Sequence, residues 1–188
     1  MLKLDPKTTA LVLIDLQKGI LARDTKPHAS SDVLQRAVKL ADKFRAAKSP
    51  VVLVHVKFAK DMSNALKQPV DKPNTPPAGG YPEDWSQISP ELLKEGDIVV
   101  TKHQWGAFYN TDMDAQLRRR GIKTIVLGGI ATNMGVESTA RQAYEHGYEV
   151  VIVEDATTGM SQEMHDFAVK NIFPLLSRVV TSGDIDLG

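Results

Sequence analysis

The chain reads as a parallel α/β sandwich, and three observations predict that class. Six short apolar runs alternate with longer segments of helical period. The runs are apolar at nearly every position, so each strand needs cover on both faces, which right-handed β-helix-β crossovers supply. A length of 188 residues suits one compact domain, taken as 1–188, with a full core.

Each element follows from local pattern. The strands are read as "ALVLIDL" from Ala10, "PVVLVHVKF" from Pro50, "DIVVTKH" from Asp97, "TIVLGGIA" from Thr124, "YEVVIVED" from Tyr148 and "RVVTS" from Arg178. Between the first two, Ser31 to Lys48 sets Leu34, Ala37, Val38, Ala41 and Phe44 on one helical face, with Ser31 as N-cap. Asn110 or Thr111 caps a helix ending at Gly121. A further helix after Gly135 stops near Gly147, and one after Ser161 ends before Pro174. One interval, 59–90, is too rich in Pro and Gly and too long for an ordinary connection. It reads either as a lid or pocket wall, with Tyr81 and Trp85 packing onto something, or as a solvated excursion.

Composition excludes several classes. There are 23 acidic and 23 basic residues, mixed along the chain, which leaves no footprint for nucleic acid or a membrane surface. Cysteine is absent, so disulfides, zinc-thiolate sites and a thiol nucleophile are impossible. The first apolar stretch is short and broken by Asp15, and no later run reaches bilayer length, so a cytoplasmic protein acting on a small molecule is expected.

In an open parallel sheet, ligands bind at the carboxyl ends of the strands. Asp15 closes the first strand, Lys102 the third, and the glycine-rich elbow "GGIATNMGVESTA" the fourth. Each has an ordinary reading as a turn residue, a solvated lysine or a chain reversal. Together, a carboxylate and an ammonium beside a helix N-terminus form an acid/base pair with an anion-stabilising dipole. Gln17 shares the face of Asp15 and either orients its carboxylate or satisfies loop backbone. Trp105 and Phe108 are equally candidates for pocket wall or core.

Competing motifs are absent. No dinucleotide fingerprint or P-loop occurs, and no cofactor is expected. The histidines, His28, His55, His103, His146 and His165, are scattered without metal-ligand spacing, so no metal is expected. His55, inside a strand, reads as a hydrogen-bonded core residue. His103 is expected beside Lys102 but on the opposite face, and Asp155 reads as structural. Ser138 lacks a G-x-S-x-G setting and is a poor nucleophile.

Three ordered segments, "ALVLIDLQKGIL", "VTKHQWGAFYNTDMDAQLRRRGI" and "IVLGGIATNMGVESTARQAYEHGYEVVIVEDA", give the chain a resemblance to the isochorismatase-like hydrolase superfamily over nearly its whole length. The resemblance implies a three-layer sandwich on a six-stranded parallel sheet, frequent homo-oligomers, and a catalytic triad whose aspartate matches Asp15 and whose lysine matches Lys102. The triad's usual cysteine falls on Gly135, which rules out thiol acylation here. It also implies a cis peptide before Ala131 and an oxyanion hole from the Ala131 and Gly135 amides.

True isochorismatases resemble this chain in having glycine at that position. They cleave a vinyl ether, which requires an acid rather than a nucleophile or a metal. On that reading Asp15 donates the proton, Lys102 orients it and holds substrate anions, and Gly135 leaves room for the ring. The Lys102 ammonium lowers the pKa of Asp15, and only burial or a bound dianion raises it again to give an acid. With no arginine between Arg45 and Arg118, Lys57, Lys60, Lys67 or Lys72 would meet substrate carboxylates. Two alternatives stand beside this: amide or ester hydrolysis by Asp15-activated water, and a non-catalytic binding or assembly module.

Overall fold

The computed structural model describes residues 1–73 and 75–188; Asn74, inside the 59–90 interval, lies outside the described residues. In chain order the elements are β1 (Leu2–Lys3), β2 (Thr9–Ile14), α1 (Lys18–Leu21), α2 (Ser30–Ala46), β3 (Val51–Val56), β4 (Ile98–Lys102), α3 (Met113–Arg119), β5 (Thr124–Ile130), α4 (Glu137–Glu145), β6 (Glu149–Thr158), α5 (Gln162–Phe167), β7 (Arg178–Val180) and β8 (Ile185–Asp186). A tight turn, Thr132–Val136, links β5 to α4.

Every apolar run read from the sequence lies in a six-stranded parallel sheet, in the order β4-β3-β2-β5-β6-β7. Strand β2 shows why such runs lack polar alternation. Ala10, Val12 and Ile14 face α3, α4 and the segment after α5, while Leu11 and Leu13 face α2. Both faces are therefore dry, and the sandwich has three layers. The edge strand β4 departs from this, because Val99 and Thr101 are exposed while Val100 and Lys102 are buried. The short pair β1 and β8, joined through Leu2 and Ile185, is too brief to leave a sequence pattern.

Helix α2 begins at Ser30 rather than Ser31, because the Ser30 hydroxyl donates to the Leu21 carbonyl and Ala29 takes the capping position. Its buried stripe is Val33, Ala37, Leu40, Ala41 and Phe44, with Leu34 and Val38 at the margin. The Thr111 hydroxyl accepts from the Met113 N–H at the start of α3, and Ser161 accepts from Met164 at the start of α5. After α5 the chain continues in tighter and wider turns through Pro174 to Leu175, further than the proline suggested.

Among its described residues the 59–90 interval has no helix or regular strand. Its returning limb is nonetheless tied to the segment after β2: Lys18 N–H donates to Gln87 O, Gly19 N–H to Trp85 O, and Ser89 N–H to Leu16 O. Tyr81 and Trp85 stack at 4.2 Å, with Phe58 beside both rings. A Cβ on Gly19 would lie 1.9 Å from Trp85 Cδ1, so the indole rests directly on that glycine. No described helix is long and apolar enough to cross a membrane.

Candidate active site

Asp15 is the first residue beyond β2. Its N–H still donates to Val54 O at 2.8 Å, continuing the ladder, and its φ of 54° then turns the chain out of the sheet. A left-handed residue with a side chain costs about 1 to 3 kcal/mol and persists where surrounding structure holds it. Here the conformation leaves the carboxyl buried at the carboxyl edge of the sheet, with 6% of the residue exposed.

Lys102 reaches it from the sheet edge. β3 lies between β4 and β2, so the lysine must bridge about 10 Å of backbone separation, which only a long side chain can do. Its Nζ donates to Asp15 Oδ2 at 2.7 Å and to Gln104 O at 3.1 Å. The lysine side chain is 2% exposed, so this is a dry ion pair. The second carboxyl oxygen, Oδ1, is buried with no hydrogen-bond partner among the described residues. Burial is the largest influence on the group and raises the Asp15 pKa to about 6. The charge and hydrogen bond of Lys102 oppose that rise, as does the Val56 N–H more weakly. Val56 N–H is itself committed to Gln17 Oε1, which limits its help to Asp15.

The third component is backbone. The Ile130–Ala131 peptide bond is cis. Just before it, Gly129 has a φ of 118° and approaches β2 so closely that a Cβ would lie 2.2 Å from Ile14 O. That contact explains why the penultimate residue of β5 is glycine. In the turn that follows, a Cβ on Gly135 would lie 3.3 Å from Asp15 Oδ2, 3.0 Å from Ile14 Cγ2 and 3.5 Å from Trp105 O. Position 135 thus faces the Asp15 and Lys102 pair. The turn is held by Thr139, whose hydroxyl donates to Gly135 O at 2.6 Å and accepts from Ala107 N–H at 3.2 Å. Gln142 Oε1 likewise accepts from Phe108 N–H. Both residues lie one and two turns into α4, where a polar residue on a helix gives no sequence signal of its target.

Asp15, Lys102, Gly135 and Ala131 therefore meet at one edge, and three other candidates fall elsewhere. Gln17 does not orient Asp15: its amide donates to Val56 O and Trp85 O and accepts from Val56 N–H, satisfying loop backbone. Phe108 is core rather than pocket wall, 5% exposed and packed on the His146 and Tyr148 rings. Trp105 keeps its backbone carbonyl near Gly135, but its side chain is exposed. Lys57, Lys60, Lys67 and Lys72 are all exposed. A cleft of about 800 Å³ lined by His55, Lys57, Asp84 and Ile88 includes none of Asp15, Lys102 and Gly135.

His55 bonds Ser86 O and Thr101 Oγ1 and is only half-buried. His103 turns back to Lys57 O, and Asp155 accepts from the Ser182 N–H and hydroxyl, anchoring the C-terminal segment. The expectation that the histidines stay scattered is corrected at one place. His28 Nε2 and His165 Nε2 each lie 3.3 Å from Glu154 Oε1. Their separation in sequence concealed the cluster, which forms because β6 bulges: from Ile152 to Thr157 it spans five steps against two from Leu127 to Gly129 on β5. Burial lowers the His165 pKa, against the hydrogen bond and charge of Glu154.

A parallel α/β sheet that gathers a carboxylate, an ammonium and a shaped backbone turn at its carboxyl edge is the architecture of a small-molecule enzyme. The chain belongs to the isochorismatase family of hydrolases, whose Isochorismatase domain matches residues 9–184. It is 54% identical over 180 residues to the isochorismatase family protein YecD of Escherichia coli O157:H7, covering 95% of each chain. It is 33% identical to the ureidoacrylate amidohydrolase RutB of Methylobacterium radiotolerans, covering 90% of this chain and 74% of that one. The solved structure of an isochorismatase family protein from Burkholderia thailandensis superposes with a TM-score of 0.92 at 50% identity, covering 97% and 95% of the two chains.

Proposed function

We propose that this hydrolase cleaves a vinyl ether of the isochorismate type, with Asp15 as general acid and with neither a nucleophilic side chain nor a metal in the reaction. The observation that carries the reading is the asymmetry of the Asp15 carboxyl. One oxygen is fixed by Lys102 while the other is buried and unpartnered among the described residues. Placing the proton on Oδ1 converts a costly bare acceptor into a hydrogen-bond donor, while Oδ2 stays with Lys102 on the side of Gly135.

The reaction then needs little else. Asp15 protonates the methylene carbon of the enol-pyruvyl group, and water adds to the resulting oxocarbenium carbon. The water's proton returns to Asp15, and the hemiketal collapses to pyruvate and the free alcohol. A positioned acid contributes roughly 10² to 10⁴ in rate. At pH 7 a group titrating at about 6 is protonated in roughly a tenth of molecules. A bound dianionic substrate raises that fraction, because nearby negative charge favours the neutral acid. Lys102 holds the acid in place and supplies positive charge, and the Ala131 and Gly135 amides are assigned to hold developing negative charge on the substrate. Residues 59–90 act as the pocket wall of a single 1–188 domain, a role supported by the limb that ties Trp85 and Gln87 to the segment after β2.

The assay is pyruvate release from isochorismate by wild type, Asp15→Ala and Asp15→Asn. Release by wild type alone is expected; equal rates in all three would remove the acid role. The RutB relative favours a second reading, amide hydrolysis with Asp15 as base activating water and the turn amides holding the oxyanion. The two differ in sign: the acid loses rate as pH rises through its pKa, and the base gains it.

A further inference from the structure

The cluster formed by His28, Glu154 and His165 plays no part in the chemistry above. Three ligating atoms, one from each residue, lie within 4.8 Å of one another. His28 Nε2 and His165 Nε2 are both 3.3 Å from the same carboxylate oxygen. In a tetrahedral site with bonds of 2.0 to 2.1 Å, ligand atoms sit about 3.3 to 3.4 Å apart. Both separations from Glu154 Oε1 already have that value.

The surroundings are those of a held site rather than a chance meeting. His165 Nδ1 lies 2.8 Å from Thr132 Oγ1. Donation of the Nδ1 proton to that hydroxyl leaves the Nε2 lone pair facing Glu154, which is the tautomer and outer contact that metal-binding histidines use. His28 is fixed through its backbone: its carbonyl accepts from the Thr25 and Thr158 hydroxyls, both at 2.8 Å, and its N–H donates to Thr158. Two residues earlier, Lys26 exchanges both backbone hydrogen bonds with Gly159, the first residue past β6. Glu154 is carried on the β6 bulge and keeps a side chain 30% exposed, against 25% for His28 and 2% for His165. A cation can enter from that side, and water can complete the fourth position.

We propose that His28, Glu154 and His165 bind a divalent transition-metal ion of the zinc class, in a three-ligand site that is separate from Asp15. Two imidazoles and one carboxylate suit zinc or cobalt and not magnesium, which prefers oxygen ligands. The ion braces the elbow. It fixes His165, His165 fixes Thr132, and Thr132 opens the turn that presents Gly135 to Asp15.

The test uses full-length protein stripped by chelator, titrated calorimetrically with zinc chloride, with magnesium chloride for comparison. One zinc ion per chain is expected to bind and to raise the melting temperature, with no saturable magnesium binding. His28→Ala and Glu154→Gln, both at half-exposed positions, are each expected to weaken zinc binding at least a hundredfold. Thr132→Val is expected to weaken it roughly 10- to 100-fold, as loss of an outer-shell contact does. Cobalt added to wild type is expected to give the visible absorption of a four-coordinate ion, absent in both ligand variants. His55→Ala is expected to leave the affinity unchanged. Absence of a stoichiometric zinc site, or wild-type affinity in either His28→Ala or Glu154→Gln, would overturn the proposal.

Discussion

The elbow from Ala131 to Val136 touches two polar clusters, one buried and one half-buried, and they satisfy their polar atoms differently. On one side, Asp15 and Lys102 form a single ion pair in which one carboxyl oxygen has no partner among the described residues. On the other, Glu154 is shared by two imidazoles, and His165 is satisfied at its second nitrogen by Thr132. An incomplete network in a dry place is costly. On the proposed reading, the unfilled valence marks the reacting side and the shared network marks the brace.

The comparison can be broken most severely at Asp15. Asp15→Ala is expected to lower turnover about 10²- to 10⁴-fold, the range for a lost general acid. A loss below about fivefold, measured as initial rate of pyruvate release, would place Asp15 with the structural residues.

Lys102→Met tests whether the ammonium tunes the acid or merely fills space. Because Lys102 lowers the Asp15 pKa against the effect of burial, its removal must move the acid limb of the pH profile upward. Turnover should also fall, by roughly 10²-fold, as the carboxyl loses its fixed orientation. An unmoved limb would mean the pair is not coupled.

Gly135→Ala sharpens the spatial claim. The new methyl would sit 3.3 Å from Asp15 Oδ2 and 3.0 Å from Ile14 Cγ2. Overpacking of about 1 to 3 kcal/mol in the pocket lowers kcat/KM by about tenfold or more. The melting temperature should also fall by a few degrees, because Ile14 is fully buried and its β-branched Cγ2 cannot swing away. A variant with full activity would show that nothing reacts beside that glycine.

The smallest effect is expected at the pocket wall. Gly19→Ala would place a Cβ 1.9 Å from Trp85 Cδ1, forcing the indole off its seat. A few-fold rise in KM with kcat nearly constant is expected, since Trp85 touches neither Asp15 nor Lys102. Steady-state kinetics separate this from an effect on the acid itself.

The difference between the clusters also explains what could be read from the chain alone. Asp15 and Lys102 each end an apolar strand, and a parallel sheet brings strand ends to one edge whatever their order. That made the pair legible. The same patterns located all six strands of the main sheet, because burial on both faces imposes unbroken apolar runs. Glu154 also stands on a strand, but it meets His28 and His165 only because β6 bulges, and a bulge depends on how neighbouring backbones pack. Gln17 and Phe108 were ambiguous for a related reason. Their types fit both a pocket and a loop or core, and only the positions of Val56, Trp85 and Tyr148 decide between them.

The central claim, that Asp15 works as a protonated acid, is tested most directly by the pH dependence of kcat/KM for pyruvate release, which reports groups on the free enzyme. Burial raises the Asp15 pKa to about 6. The acid form therefore predominates below that value, and the rate should be level there and fall tenfold per unit above it. A rate that instead climbs through pH 6 and then levels would make Asp15 a base and contradict vinyl ether protonation.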